Sequence, residues 1–331
     1  MQPRIVTVGP LVAASNTKVA LAQTVAAAGY LALNGAAGTA VANNICASQS
    51  GTAATALVIN GALAQTQFVS PTIGNVGAKI AALPTVQPIY ITSAGNDSAI
   101  TFAVVGMDIN NATLTETIHG TNASVSASAN SYKAILSVTP SGNTASTVSV
   151  GAIGLATLDT ARRVIFVSSG TDTGLTISIS GSDWAGLPIS ETVTGGSSGV
   201  PATTRLDYLT VAQVNVSGAT AGTMSVGTSG VAGSEWVNLD IWSYSAIAIQ
   251  CTASGTVNYT VQQTLDDPAS YANPVLRSSV TWVNSGDTNA VGATGSVQTN
   301  YFAPPTWSRV LLNSGTGSVT ATYNQAGSVT L

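Results

Sequence analysis

Apolar and polar positions alternate along most of the chain. Ile100, Phe102 and Val104 alternate with smaller neighbours, as do Leu175, Ile177 and Ile179. Period two with β-branched and aromatic residues is the pattern of a half-buried strand. In Leu114-Thr115-Glu116-Thr117-Ile118, Glu116 falls on the same face as Leu114 and Ile118, because successive strand side chains point to opposite sides. Ile189, Glu191 and Val193 repeat the arrangement. Each Glu therefore needs a wet face or a partner. Gly95-Asn96-Asp97 and Ser141-Gly142-Asn143 supply turns. Short strands at roughly ten-residue spacing predict small antiparallel sandwiches of the immunoglobulin-like kind.

The pattern repeats. Leu83, Ser93, Gly95, Asp97, Gly106, Asp108, Glu116-Thr117 and Gly120 recur 75 residues later as Leu158, Ser168, Gly170, Asp172, Gly181, Asp183, Glu191-Thr192 and Gly195. After one inserted residue the offset is 76: Ser141-Gly142 matches Ser217-Gly218, and Val150-Gly151 matches Val226-Gly227. A constant offset over this span predicts two copies of one β-sandwich domain, at 83–157 and 158–232.

A C-terminal β domain is expected at 233–331, from Ile247-Ala248-Ile249, Thr256 to Val261, Val280 to Val283, Val310 to Leu312 and Ser318 to Tyr323. It holds Trp236, Trp242, Trp282 and Trp307, four of the five tryptophans, enough to seed its own core. Residues 1–82 are Ala-rich. Ala20 to Ala28 has helical propensity, but Leu33-Asn34-Gly35-Ala36 and Ile59-Asn60-Gly61-Ala62 recur 26 residues apart with hairpin-type Asn-Gly pairs. Strands and loops, or an extended docking arm, are expected there.

Composition narrows the function. Only 7% of the 331 residues are charged, 45% are hydrophobic, and 82 are Ser or Thr. Disorder requires low hydrophobicity with high charge, so the chain is expected to fold. Nine Lys and Arg with net charge −4 give no basic cluster for nucleic acid. No apolar run reaches bilayer length, and the N-terminus shows no secretory pattern. Cys46 and Cys251, 205 residues apart, read as free thiols of a reducing compartment.

Candidate chemistry is sparse. Asp97, Asp108 and Glu116, with their duplicates Asp172, Asp183 and Glu191, are the candidate Ca²⁺ ligands. Calcium takes six to eight oxygens, but no EF-hand-like spacing is present. Turn-capping Asp and solvent-facing Glu are the commoner use, so no metal or cofactor is assigned. His119 is the one histidine, and its duplicate is Thr194; without an oriented nucleophile and acid it makes no triad. Asp266-Asp267 reads as a strand-ending turn, not a glycosidase pair. The C-terminal Trp and Tyr residues suit core packing or, less commonly, a sugar-stacking platform. Arg162-Arg163, against Gln87-Pro88 in the first copy, fits an ion pair across a subunit contact or a solvated strand entry. No catalytic residues are assigned.

With three lysines in all (18, 79 and 133) the chain has few of the charges that guard β edges. Burial in a symmetric oligomer or shell would cover such edges, which points to a structural subunit. The series Ile91-Thr92-Ser93-Ala94-Gly95-Asn96-Asp97-Ser98, Gly106-Met107-Asp108 and Leu114-Thr115-Glu116-Thr117-Ile118 resembles the repeated β domains of tailed-bacteriophage virion proteins. Ser169 to Asp172, Gly181 to Asp183 and Ser190 to Val193 carry the same pattern, and Val257 to Asp267 and Leu312 to Val319 resemble it too. The resemblance implies a non-enzymatic virion part assembled in a host cytoplasm, with partners among its own copies and other virion proteins such as the major capsid protein. A capsid-surface decoration or stabilising protein is the first expectation. A neck, tail or fibre component and a carbohydrate-binding adhesin are the alternatives.

Overall fold

A computed structural model describes residues 4–12, 18–23, 29–31, 33, 41–66, 79–241 and 246–325. Strands make up 59% of it, and among the described residues there is no α-helix. None, therefore, is long and apolar enough to cross a membrane. The fold is all-β and antiparallel, built on three apolar cores.

The N-terminal region gives β1 (Arg4–Val12), β2 (Lys18–Gln23), β3 (Gly29–Tyr30), β4 (Val41–Ser50) and β5 (Ala64–Thr66). The first repeat gives β6 (Lys79–Gln87), β7 (Ile89–Ser93), β8 (Thr101–Met107), β9 (Thr113–His119), β10 (Val125–Ala127), β11 (Tyr132–Pro140) and β12 (Thr147–Ala152). Sheets β10-β7-β12-β4 and β5-β6-β11-β8-β9 enclose a core of Ile89, Ile91, Phe102, Val104, Tyr132, Val148 and Val150.

The second repeat gives β13 (Ala156–Ser168), β14 (Thr176–Ser182), β15 (Pro188–Thr194), β16 (Ala202–Val216) and β17 (Met224–Gly233). Its pairing duplicates the first. Thr101 faces His119 across β8–β9, and Thr176 faces Thr194 across β14–β15. Gly106 faces Ile135, and Gly181 faces Val211. One difference has a clear cause. Pro88 has no N–H to give a ladder, so the first copy switches sheets between β6 and β7. The second has Arg162-Arg163 there, and β13 runs through the corner as one 13-residue strand with bulges.

The C-terminal unit gives β18 (Val237–Asn238), β19 (Ile247–Ser254), β20 (Val257–Thr264), β21 (Val283–Asn284), β22 (Val297–Tyr301), β23 (Trp307–Gly315) and β24 (Ser318–Gln325). Sheet β1-β24-β19-β22 packs on β20 and β23 over Ile247, Ile249, Cys251, Tyr259, Val261, Leu312 and Tyr323. Ala232 and Gly233 of β17 pair with Leu312 and Leu311 of β23. A single eleven-stranded sheet thus joins the second repeat to the C-terminal unit.

The described residues of 1–82 pair with the rest of the chain and do not stand apart from it. The described part runs back along the molecule and adds strands to every core. β1 pairs with β24. β2 and β3 pair with β17 and β16, with Val19, Ala20, Leu31 and Leu33 buried in the second core. β4 pairs with β12, burying Ile45 and Cys46 in the first. The 26-residue recurrence has a structural meaning: Ala20 faces Val226, and Cys46 faces the duplicate position Val150. Leu31 N–H donates to Val214 O at 2.9 Å, and Leu57 N–H to Val138 O at 2.8 Å. Each repeat is therefore completed by its own copy of an N-terminal segment. Asn60-Gly61 makes no two-residue hairpin. Asn60 Oδ1 accepts from Ala47 N–H at 2.8 Å, and Gly61 N–H donates to Ile45 O at 2.9 Å. Despite the helical propensity of Ala20 to Ala28, the described part of it, as far as Gln23, is strand, as favoured from the sequence. Residues 24–28, 34–40 and Trp242 lie outside the described residues. Cys46 and Cys251 sit in different cores. Burial pushes the Cys46 thiol up to about 12 and Cys251 to about 11.

Candidate functional site

The six duplicated carboxylates serve the backbone, each in the same way in both copies. Asp97 Oδ1 accepts from Ala145 N–H and Asp172 Oδ1 from Ala221 N–H, both at 2.7 Å. The facing glycines are required by close approach: a Cβ on Gly120 or Gly195 would lie 2.3 Å from the Asp97 or Asp172 carbonyl oxygen. Asp108 Oδ1 caps a turn through Asn110 and Ala112 N–H, and Asp183 Oδ1 does so through Ala185 and Leu187 N–H. Glu116 accepts from Ala129 N–H, Asn130 N–H and the Tyr132 hydroxyl at 2.6, 3.1 and 3.0 Å. Glu191 accepts from Arg205 and Leu206 N–H, both at 2.9 Å. Burial first, then the adjacent glutamate, pushes the Tyr132 and Tyr208 phenols well above the usual range. Among the described residues no group of three His, Cys, Asp or Glu comes together to hold a metal. Of the two expected alternatives, a wet face or a partner, each half-buried glutamate takes the partner, Glu116 in the bend before β11 and Glu191 in β16.

His119 ends β9 exposed, paired in the ladder with Thr101. Asp266 and Asp267 follow the end of β20. Asp266 Oδ2 accepts from Thr281 N–H at 2.7 Å, and Asp267 Oδ1 accepts from Ala269 N–H and Trp307 Nε1–H at 2.9 and 3.1 Å. They bind the two ends of a long loop and stabilise it.

Charge and aromatic side chains converge at one place, the junction of the second repeat with the C-terminal unit. A cavity of about 190 Å³ there is lined by Arg163, Arg205, Arg277 and Arg309, by Asp183 and Asp207, and by Trp184, Trp236 and Trp282. Asp207 bridges two arginines: Oδ2 lies 2.7 Å from Arg309 Nη1, and Oδ1 lies 3.6 Å from Arg163 Nε. Gly233 leaves room for this carboxylate, since a Cβ there would lie 2.8 Å from Asp207 Oδ2. Arg309 Nε and Nη2 donate to Gln262 Oε1. Burial lowers the Arg309 guanidinium from its ordinary value, and Asp207 opposes that shift. Arg277 Nε donates to Asp183 Oδ2, while Arg205 donates to the Ser278 and Val280 carbonyls. The Arg277 guanidinium lies 4.3 Å from the Trp236 ring centre, and Arg309 lies 4.4 Å from that of Trp282. Trp236 in turn meets Trp184, Trp282 and Trp307 at 6.5, 5.0 and 6.4 Å between ring centres. These are cation–π and edge-to-face geometries.

Arg162 lies behind this cavity, fully buried. It pairs with Asp159 at 2.7 and 2.6 Å and donates to Val12 O in β1 at 2.7 Å. The hydrogen bond from Arg162 holds the Asp159 carboxyl below its usual range. Within the chain, Arg162 is bonded to Asp159, whereas Arg163 makes only a 3.6 Å ion pair with Asp207 and its Nε has no hydrogen-bond acceptor. Trp236 and Trp282 do not form an open sugar platform, because arginines already cover their faces. Tyr259, Tyr301 and Tyr323 are core residues, with the Tyr259 and Tyr323 hydroxyls bonded to Gly295 O and Ser308 Oγ, whereas Tyr271 is fully exposed.

The sequence reading missed the convergence but contained its signal. Arg163, Trp184, Arg205 and Asp207 stand where the first copy has Pro88, Ile109, Ala129 and Ser131. The site is what distinguishes the second copy from the first. No family model, curated protein or solved structure matches the chain.

Proposed function

We propose that the protein is a non-enzymatic structural subunit that works by assembly, as a component of a phage-type virion shell. The observation that supports this best is the state of its β edges. The strands that end the four sheet orders carry no lysine, the commonest guard against edge pairing; the off-path edge strand β2 begins at Lys18. β15 is blunted by Pro188 and by Ser278, whose hydroxyl accepts from Ser190 N–H at 3.2 Å. Its duplicate β9 runs seven residues in unbroken register with β8, with Thr113, Thr115, Thr117 and His119 exposed. A regular edge of this length offers backbone N–H and C=O groups to another strand. The low charge and hydroxyl-rich surface fit a subunit whose faces are covered in an assembly. In this reading its partners are its own copies and a major capsid protein, and decoration of the shell is preferred over a neck or tail position.

Cryo-electron microscopy of particles from the source tests this. Density spread over an icosahedral shell supports decoration. Density at the unique vertex moves the protein to the neck or tail and overturns decoration. Particles without it overturn the virion reading.

A further inference from the structure

We propose that the cavity between the second repeat and the C-terminal unit is a binding site for a small organic acid, held through its carboxylate. Four guanidiniums against two carboxylates give its walls an excess of two positive charges, in a chain whose net charge is −4. The polar groups there are not all satisfied by one another. Arg277 Nη2 and Trp184 Nε1 are buried donors without an acceptor. Buried donors are almost always partnered, and an orphan of this kind calls for a ligand or water. Among the described residues, Arg205 donates to the Ser278 and Val280 carbonyls and to no carboxylate.

Junction packing alone does not require this cluster. The first and second repeats meet without one: Tyr90 enters the second core beside Ile153, and Gln87 Oε1 accepts from Gly154 N–H at 2.9 Å. The second copy instead places Arg163, Trp184 and Arg205 where the first has Pro88, Ile109 and Ala129.

The chemistry selects the ligand. Arg309, over Trp282, spends its N–H groups on Gln262 and Asp207, but Arg277, over Trp236, keeps Nη2 unpartnered beside its bond to Asp183, and a guanidinium edge suits a planar oxyanion. Arg277 Nη2–H and Trp184 Nε1–H are donors only, so the group they meet must be an acceptor. A volume of about 190 Å³ holds about six waters, which suits a compact acid or one inserted side chain. A free metabolite-sized acid and an aspartyl side chain from a polypeptide share this chemistry.

The four-tryptophan cluster provides the readout. Intact protein is titrated with acetate, succinate, glucuronate and N-acetyl-aspartyl amide, against sodium chloride at equal ionic strength. A saturable change in tryptophan emission with a carboxylate, absent with chloride, and a matching rise in Tm are expected. Tightest binding by a free acid identifies a small-molecule site, and tightest binding by the aspartyl amide identifies a polypeptide side chain. Trp184→Phe keeps the ring and removes the donor, and should weaken binding about tenfold or more. Trp184→Phe that folds as wild type and binds equally well overturns the donor assignment. No saturable response to any of the four carboxylates overturns the proposal and leaves the cavity to water.

Discussion

Replacing Asp207 by Ser, the residue of the first copy at Ser131, isolates the energetics of the junction. Asp207 and Arg309 pair at 2.7 Å with side chains 5% and 6% exposed. Without Asp207, Arg309 stays buried with Gln262 as its main acceptor. Removing one partner of a buried pair costs about 3–5 kcal/mol, because a charge is left uncompensated. At about 2–4 °C per kcal/mol for a unit of this size, Tm should fall by roughly 6–20 °C. Arg309→Met should cost less, since Asp207 keeps Arg163 at 3.6 Å. The double variant removes both charges and should be more stable than Asp207→Ser alone. Calorimetry gives the stability, and tryptophan emission shows whether the junction opens first. A loss under about 1 kcal/mol for Asp207→Ser, or strict additivity in the double variant, would refute the claim that this pair locks the two units.

Three further outcomes follow from the same geometry. A chain starting at residue 83 lacks β1 to β5 and should show no cooperative melt by circular dichroism, whereas an independent N-terminal arm would leave a sharp one. Glu116→Ala strips the acceptor from Ala129, Asn130 and Tyr132 and should cost about 1.5–3 kcal/mol in urea unfolding, the range for a hydrogen bond to a charged group; a neutral result would contradict its role. Burial raises Cys251 to about 11 from 9.0 and Cys46 to about 12 from 9.0, and Tyr90 and Tyr301 to about 12 from 10.0. The native state keeps these protons longer than the unfolded chain, so the stability they contribute is complete below about pH 9 and lost as pH rises through about 11 to 12. An unchanged Tm between about pH 8 and pH 11 would contradict this.

The duplication was legible because turn residues and inward-facing acids have fixed geometric duties. Asp97, Gly120 and Glu116 recur with the register they impose. The N-terminal region was not legible in the same way. Its strands pair with partners far away in sequence, as Ala20 does with Val226, so local pattern says little about where they go. The 26-residue recurrence was visible, but its meaning depended on tertiary pairing. The Arg–Trp cavity lay in the differences between the copies. Reading only what the copies share hid Trp184, Arg205 and Asp207, which are contributed by separate turns and strands and meet Arg277, Trp282 and Arg309 across the junction.

Assembly through the β9 edge is tested most directly by light scattering of the purified chain beside Thr115→Lys. Thr115 is exposed in the middle of that edge, and a lysine there adds the missing guard without touching a core. The account predicts a concentration-dependent oligomer for the native chain and a monomer for the variant, with equal melting temperatures. A native chain that stays monomeric at every concentration, or a variant that assembles equally well, would contradict it.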